Sequence, residues 1–251
     1  MITLSTDFGG GYYISQMRGV LHSINPEVLI EDFYHHILPQ NILEGSFILS
    51  QAWRYYPRGT IHLGIVDPGV GSARKGMIFE TENCFFVGPD NGLFGLALAE
   101  QQIVRQIAID EEKITELMYT VVGRKASKTF HGRDIFAPTA ALLSSGISPE
   151  QLGKKTDEFV DLKIEENQVL HIDSFGNVIL NNISDYKLGE TLHLFTGKKH
   201  FSASSVETFS DASPGELIVL KGSHGFVEVD VNKGSAAEKL GVEVGDVLRF
   251  K

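Results

Sequence analysis

The chain has 251 residues, 42% of them hydrophobic and 22% charged, and a formal net charge of −10. That acidity argues against a nucleic-acid binder or a protein of anionic membrane surfaces, both of which need a basic footprint. A single cysteine, Cys84, excludes internal disulfides and a cysteine-rich zinc site.

Residues 2–5 read as a short buried strand, followed by the glycines Gly9, Gly10 and Gly11. Helical spacing follows over 14–24 and strand character over 27–33. Within 41–56, Ile42, Leu49, Ala52, Trp53 and Tyr56 fall near one helical face. Residues 60–66 form a β-branched run, and 76–88 read as a hairpin pair closed by the turn-forming 89–92. A short helix over 93–100, a strand over 103–109 and a helix over 134–146 come next, the last with Asp134 as N-cap and Gly146 as stop. This alternation of strand and helix predicts an α/β/α domain with a largely parallel sheet over residues 1–160. The acidic stretch 156–167 reads as a linker. Short strands at hairpin spacing then predict a small all-β, barrel-like domain over 166–251, interrupted only by a helical turn at 235–241. The first residues lack a basic-then-apolar leader pattern, and no apolar run approaches the ~20 residues of a membrane span. A reducing cytoplasm is the expected setting.

Several motifs sit at the strand ends. In STDFGG, Asp7 follows a strand and precedes glycines, which suits either a turn cap or a contact to ribose hydroxyls. The other kinase signatures that would accompany DFG are missing. GIVDPGVGSARKG places Asp67 and Arg74 on a bending loop at a strand tip, as a loop-closing ion pair or as part of a site. Met77 stands where a phosphate-binding loop needs lysine, which excludes nucleotide triphosphate hydrolysis of that type. His131, in TFHGRD, is either a structural histidine or an acid–base group. In DSFGN, Phe175 can stack on a flat ring and Asn177 can both donate to and accept from a purine edge, or the segment is an ordinary hairpin. The last thirty residues have some PDZ-like texture without that family's upstream carboxylate-binding loop.

Taken in order, TDFG, VDPGVGSAR, GPDNG, FHGRD, DSFGN and GSAA run from residue 6 to residue 237 of the 251. Together they resemble the S-adenosyl-L-methionine (SAM) hydroxide adenosyltransferases, relatives of the fluorinases and chlorinases. The resemblance implies an N-terminal α/β domain, a C-terminal β-barrel and a homotrimer with each SAM site between subunits. It implies a catalytic triad of Asp67, Arg74 and His131. For substrate binding it implies Asp7 at the ribose, Asp173 at the methionine ammonium, Phe175 and Asn177 at adenine, and Ser223 at the carboxylate. Fluorinases carry tyrosine at the Asp67 position, no arginine at Arg74 and a halide-binding serine at Gly132, so all three choices favour water as nucleophile. His224 stands where the halogenases have arginine and Gln40 where they have tryptophan, and His36 has no assigned role.

The implied reaction converts water and SAM to adenosine and L-methionine, with no metal or organic cofactor. The departing thioether needs no proton, so the chemical burden falls on positioning and deprotonating water. Either Asp67 is chiefly engaged by Arg74, which then stabilises hydroxide, or Asp67 and His131 act as base; the second is the expectation. A SAM-dependent halogenase and a non-catalytic SAM or adenosine sensor are the alternatives.

Overall fold

The computed structural model describes residues 1–251, which divide into two units, Met1–Leu162 and Lys163–Lys251. The first is built on seven strands: β1 (Ile2–Thr6), β2 (Ile30–Tyr34), β3 (Ile61–Ile65), β4 (Gly76–Thr81), β5 (Phe85–Pro89), β6 (Ile103–Ile109) and β7 (Gly153–Lys155). Their order in the sheet is β2-β1-β3-β5-β4-β6-β7. The pairs from β2 to β5 are parallel, whereas β5–β4, β4–β6 and β6–β7 are antiparallel. The sheet is therefore parallel in one half only. The tight β4–β5 hairpin forces β4 to run against its neighbours, and β6 pairs on that reversed strand rather than on a parallel one.

Helices cover both faces. Ile2, Leu4, Leu63 and Ile65 point into a core shared with Met17 and Leu21 of α1 (Tyr12–Ile24), with Ile114 and Met118 of a later helix (Glu111–Val122), and with the Ala137–Ser144 helix. The opposite face takes α2 (Ile42–Ala52) and α3 (Gly95–Ala99). Contact there is so close that a Cβ on Gly64 would lie 2.7 Å from Leu49 and 3.1 Å from Phe94. Asn41 caps α2 by accepting from the Glu44 N–H at 3.0 Å. The Glu111–Val122 helix, α4, starts on Asp110, which accepts from Lys113, and stops at the left-handed Gly123. The Ala137–Ser144 helix, α5, is not capped by Asp134. A π-helical turn, Gly132–Phe136, precedes it, and the Asp134 carboxylate instead accepts from the Ser127 N–H at 2.7 Å and from Arg133. His62, fully buried on β3, shares a 2.8 Å hydrogen bond with Thr3. Burial pushes its imidazole down to about 4.

The second unit is a curled seven-stranded sheet: β8 (Val169–Ile172), β9 (Val178–Leu180), β10 (Thr191–Thr196), β11 (Lys199–Ser205), β12 (Leu217–Lys221), β13 (Val227–Val231) and β14 (Arg249–Phe250). The order is β14-β10-β11-β12-β13-β9-β8, antiparallel except for β11–β12. Backbone bonds from Val169 to Asp246 (2.7 Å) and from Leu248 to Asn167 (3.1 Å) draw the two edges together. Val178, Leu180, Leu194, Val219, Val227 and Val229 fill the interior, closed by Ala236 and Leu240 of α6 (Ala236–Leu240).

Candidate active site

β1 and β3 lie side by side with Thr6 opposite Ile65. The chain continues from β1 to β2 on one side and reaches β3 on the other, so their carboxyl ends flank the point where strand order reverses. Crevices at such points are where open α/β sheets bind ligands. Asp7 and Asp67 emerge there together, and both line a cleft of about 300 Å³ with Gln40, Phe130, His131 and Gly132.

The Asp67–Arg74 loop folds back on itself. Gly71 makes this possible: its φ is +78°, and a Cβ there would meet the Lys128 carbonyl at 2.6 Å. The loop is thereby pressed against the segment that carries His131. Arg74 Nε donates to Asp67 Oδ1 at 2.8 Å, Nη2 donates to Asp67 Oδ2, and Nη2 also donates to His131 Nδ1 at 3.1 Å. The guanidinium lies 4.9 Å from the Phe136 ring centroid. The side chains of Asp67 and Arg74 are only 6% and 10% exposed, so their pairing is not a solvated surface contact. Asp67, Arg74 and His131 thus form one hydrogen-bonded group.

Asp7 accepts from the Gln40 N–H at 2.8 Å. Gln40 holds a left-handed backbone, φ 63°, unusual for a residue other than glycine. Burial pushes the Asp7 carboxyl above the usual range, the Gln40 N–H opposes that, and the neighbouring Asp67 charge adds to it. Phe8 and Phe130 meet edge-to-face at 5.7 Å and wall the cleft. Neither stands out in the sequence by itself, although each adjoins a motif residue. His36 packs its ring edge-on to Tyr34 and is not part of the cleft wall.

In the second unit, Asp173, Phe175 and Asn177 border a cleft of about 560 Å³ with Phe209 and Lys233. Asp173 organises its own turn: Oδ1 accepts from the backbone N–H groups of Phe175 and Asn177 at 2.9 Å each, and Oδ2 accepts from Asn177 Nδ2 at 3.0 Å. Gly176, at φ +83°, lets that turn approach the α6 N-cap, Ser235; a Cβ there would fall 2.1 Å from its hydroxyl. The Phe175 ring is 77% exposed, an apolar face open to a ligand or another chain. Ser223 lies exposed on the β12–β13 turn, outside this cleft. His224 beside it accepts from the Phe226 N–H at 3.0 Å through Nδ1, which leaves Nε2 to donate to Glu228 at 2.9 Å. No group of three or more His, Cys, Asp or Glu side chains is placed to hold a metal ion, and no helix is long and apolar enough to cross a membrane.

Residues 2–153 match the sequence profile of the SAM hydroxide adenosyltransferase N-terminal domain, and residues 167–249 that of its C-terminal domain. The chain is 35% identical to an (R)-S-adenosyl-L-methionine hydrolase of Methanocaldococcus jannaschii, covering 100% of this chain and 95% of that one. It is 36% identical to a protein of the same description from Salinispora tropica, with 99% and 96% covered. A fluorinase of Nocardia brasiliensis is more distant, 22% identical over 95% of this chain and 92% of its own. Among solved structures, an uncharacterized conserved protein from Thermotoga maritima superposes with a TM-score of 0.91 at 32% identity, 100% of both chains covered. With both domain profiles matched in order, and with full-length relatives above 30% identity, the chain belongs to the SAM hydroxide adenosyltransferase family.

Proposed function

We propose that this protein hydrolyses S-adenosyl-L-methionine to adenosine and L-methionine, with water attacking C5′ in line with the departing sulfur. The observation that carries the chemistry is the buried Asp67–Arg74–His131 group at the strand switch point, in a cleft shared with Asp7. Arginine can only donate, so the contact with Arg74 makes His131 Nδ1 an acceptor and leaves the ring proton on Nε2. The neutral imidazole therefore serves as a donor that holds the water oxygen. Asp67 is the acceptor: Arg74 occupies one lone pair on each oxygen, and a second on each remains for the water's protons. On this reading Asp67 alone accepts the proton, in place of the base shared by Asp67 and His131 that the sequence led us to expect. Holding water at a near-attack distance of ~3–3.5 Å supplies part of the rate enhancement, and proton acceptance by Asp67 a further ~10²–10⁴-fold.

Asp7 would bond the ribose hydroxyls, Phe175 and Asn177 the adenine, Asp173 the ammonium and Ser223 the carboxylate. We further propose a cytoplasmic homotrimer in which one subunit's first unit and a neighbour's second unit complete each site; light scattering should give three times the chain mass. The named relatives suggest preference for the (R) sulfonium epimer. Incubation with each epimer separately, followed by chromatography, should yield adenosine and methionine, faster from (R). A halide-dependent 5′-halo-5′-deoxyadenosine product would instead indicate halogenase chemistry, and binding without turnover a sensor.

A further inference from the structure

A second cavity, of about 470 Å³, also borders His131: its wall is formed by Glu111, Glu112, Glu116, Ser127 and Lys128 together with His131 itself. His131 is thus common to the walls of both cavities. Glu111 is the first residue of α4, held there by the Asp110 cap. Its Oε1 stands 3.7 Å from Arg74 Nη1 and 3.9 Å from His131 Nδ1. Arg74 Nη1 also points at the Lys75 carbonyl, 3.4 Å away. The guanidinium is therefore held between two carboxylates, Asp67 in close bidentate contact and Glu111 at longer range.

We propose that Glu111 is a positioning residue of the hydrolytic group, which braces Arg74 and by its charge supports Asp67 as the proton acceptor. The inference rests on the hydrolase reading above. In that reaction the C5′–O bond forms as the C5′–S bond breaks, the bonding pair leaves with the now neutral thioether, and one proton is released per SAM consumed. Asp67, Arg74 and neutral His131 together carry no net charge, so the arriving proton would leave the group at +1. Glu111 returns it to neutrality. It also offsets the pull of Arg74 on the Asp67 lone pairs, which would otherwise weaken that carboxylate as an acceptor. At roughly 4 Å and partial exposure, a unit charge is worth enough to move an ionisation by about one pH unit. The other charges facing His131 are Arg74 from the Asp67 loop, Glu112 and Glu116 from α4, and Lys128 from its own segment; Asp7 lies across the substrate cleft.

The test compares the full-length wild type with Glu111→Gln and Glu111→Asp, using SAM from pH 5 to 9. Glu111→Gln should lower kcat about tenfold and leave KM within about twofold. It should also move the acid limb of the kcat profile to lower pH by about half a unit to one unit, since removing a negative charge makes protonation of the group harder. Glu111→Asp, which keeps the charge at a helix start that favours acids, should recover most of the loss. Should the Gln variant fold poorly, Glu111→Ser, well suited to a helix N-terminus, carries the same expectation. An unmoved acid limb with wild-type kcat, or a loss confined to KM, overturns the proposal. A wild type inert towards SAM overturns the hydrolase reading, and this inference with it.

Discussion

Arg74 donates from Nη2 to His131 Nδ1 at 3.1 Å while its Nε donates to Asp67 at 2.8 Å. One planar guanidinium thus sets both the orientation of a carboxylate and the tautomer of an imidazole. A lysine ammonium has neither the fork nor the reach to make all three bonds. Arg74→Lys should therefore lower single-turnover hydrolysis by ~10²-fold or more and change the SAM dissociation constant by only a few-fold. Calorimetry beside rapid-quench measurements checks both, and a rate near wild type would remove Arg74 from the chemistry.

Asp67→Asn keeps the side chain's size but loses its charge, and its amide group would meet the guanidinium donors with donors of its own. Turnover should fall by ~10²-fold or more. Combining it with Arg74→Ala should cost little beyond the worse single variant, because residues acting as a unit fail together. If the pair merely closes the loop, melting temperature and SAM affinity should drop while turnover per bound substrate stays intact. Differential scanning calorimetry and single-turnover rates on the same variants separate the two.

Asp173 spends three hydrogen bonds on its own turn. Alanine there would confound binding with loss of the turn, whereas Asp173→Asn keeps an oxygen acceptor for the two backbone N–H groups and removes the charge, the Asn177 amide having only to flip to present its oxygen to the new NH2. If Asp173 holds the methionine ammonium, this variant should weaken SAM binding about tenfold or more and leave adenosine binding nearly unchanged. Equal losses for the two ligands would refute that placement.

Asp230, on β13, is fully buried, and neither carboxylate oxygen has a hydrogen-bond partner. Burial, then the charges of Glu228 and Asp173, push its carboxyl up to about 8. In the unfolded chain the same group ionises near 4. Between those values the folded protein holds a proton that the unfolded chain has released, so stability from this residue declines as pH rises from about 4 to about 8. Asp230→Asn, neutral throughout, should raise the melting temperature at pH 8 and leave it unchanged near pH 4. A gain of equal size at both pH values would contradict this.

The site's short-range parts were the most legible in sequence. Asp67 and Arg74 lie seven residues apart on a glycine-bearing loop, and FHGRD announces itself by a histidine between an aromatic and a glycine. Glu111 could not be read that way. Its partners are Arg74 and His131, remote along the chain, and in sequence it looks like an acid stabilising the first turn of a helix. The helix itself was missed, because only Ile114 and Met118 of its twelve residues are buried and its apolar stripe is thin. Strand direction was equally hidden. The run 103–109 has strand composition, but its antiparallel sense depends on its docking against β4, and Gly153–Lys155 adds a further antiparallel strand with no apolar signature. The Asp134 N-cap expectation failed because Arg133 and the Ser127 N–H compete for the same carboxylate.

The most direct test of the central claim, that water is delivered to C5′ of SAM, is hydrolysis in ¹⁸O-enriched water with mass spectrometry of the products. The account predicts adenosine carrying one ¹⁸O at its 5′-hydroxyl, unlabelled methionine in equal amount, and loss of both products in Asp67→Asn. Intact SAM, unlabelled adenosine, or methylthioadenosine with labelled homoserine would contradict it.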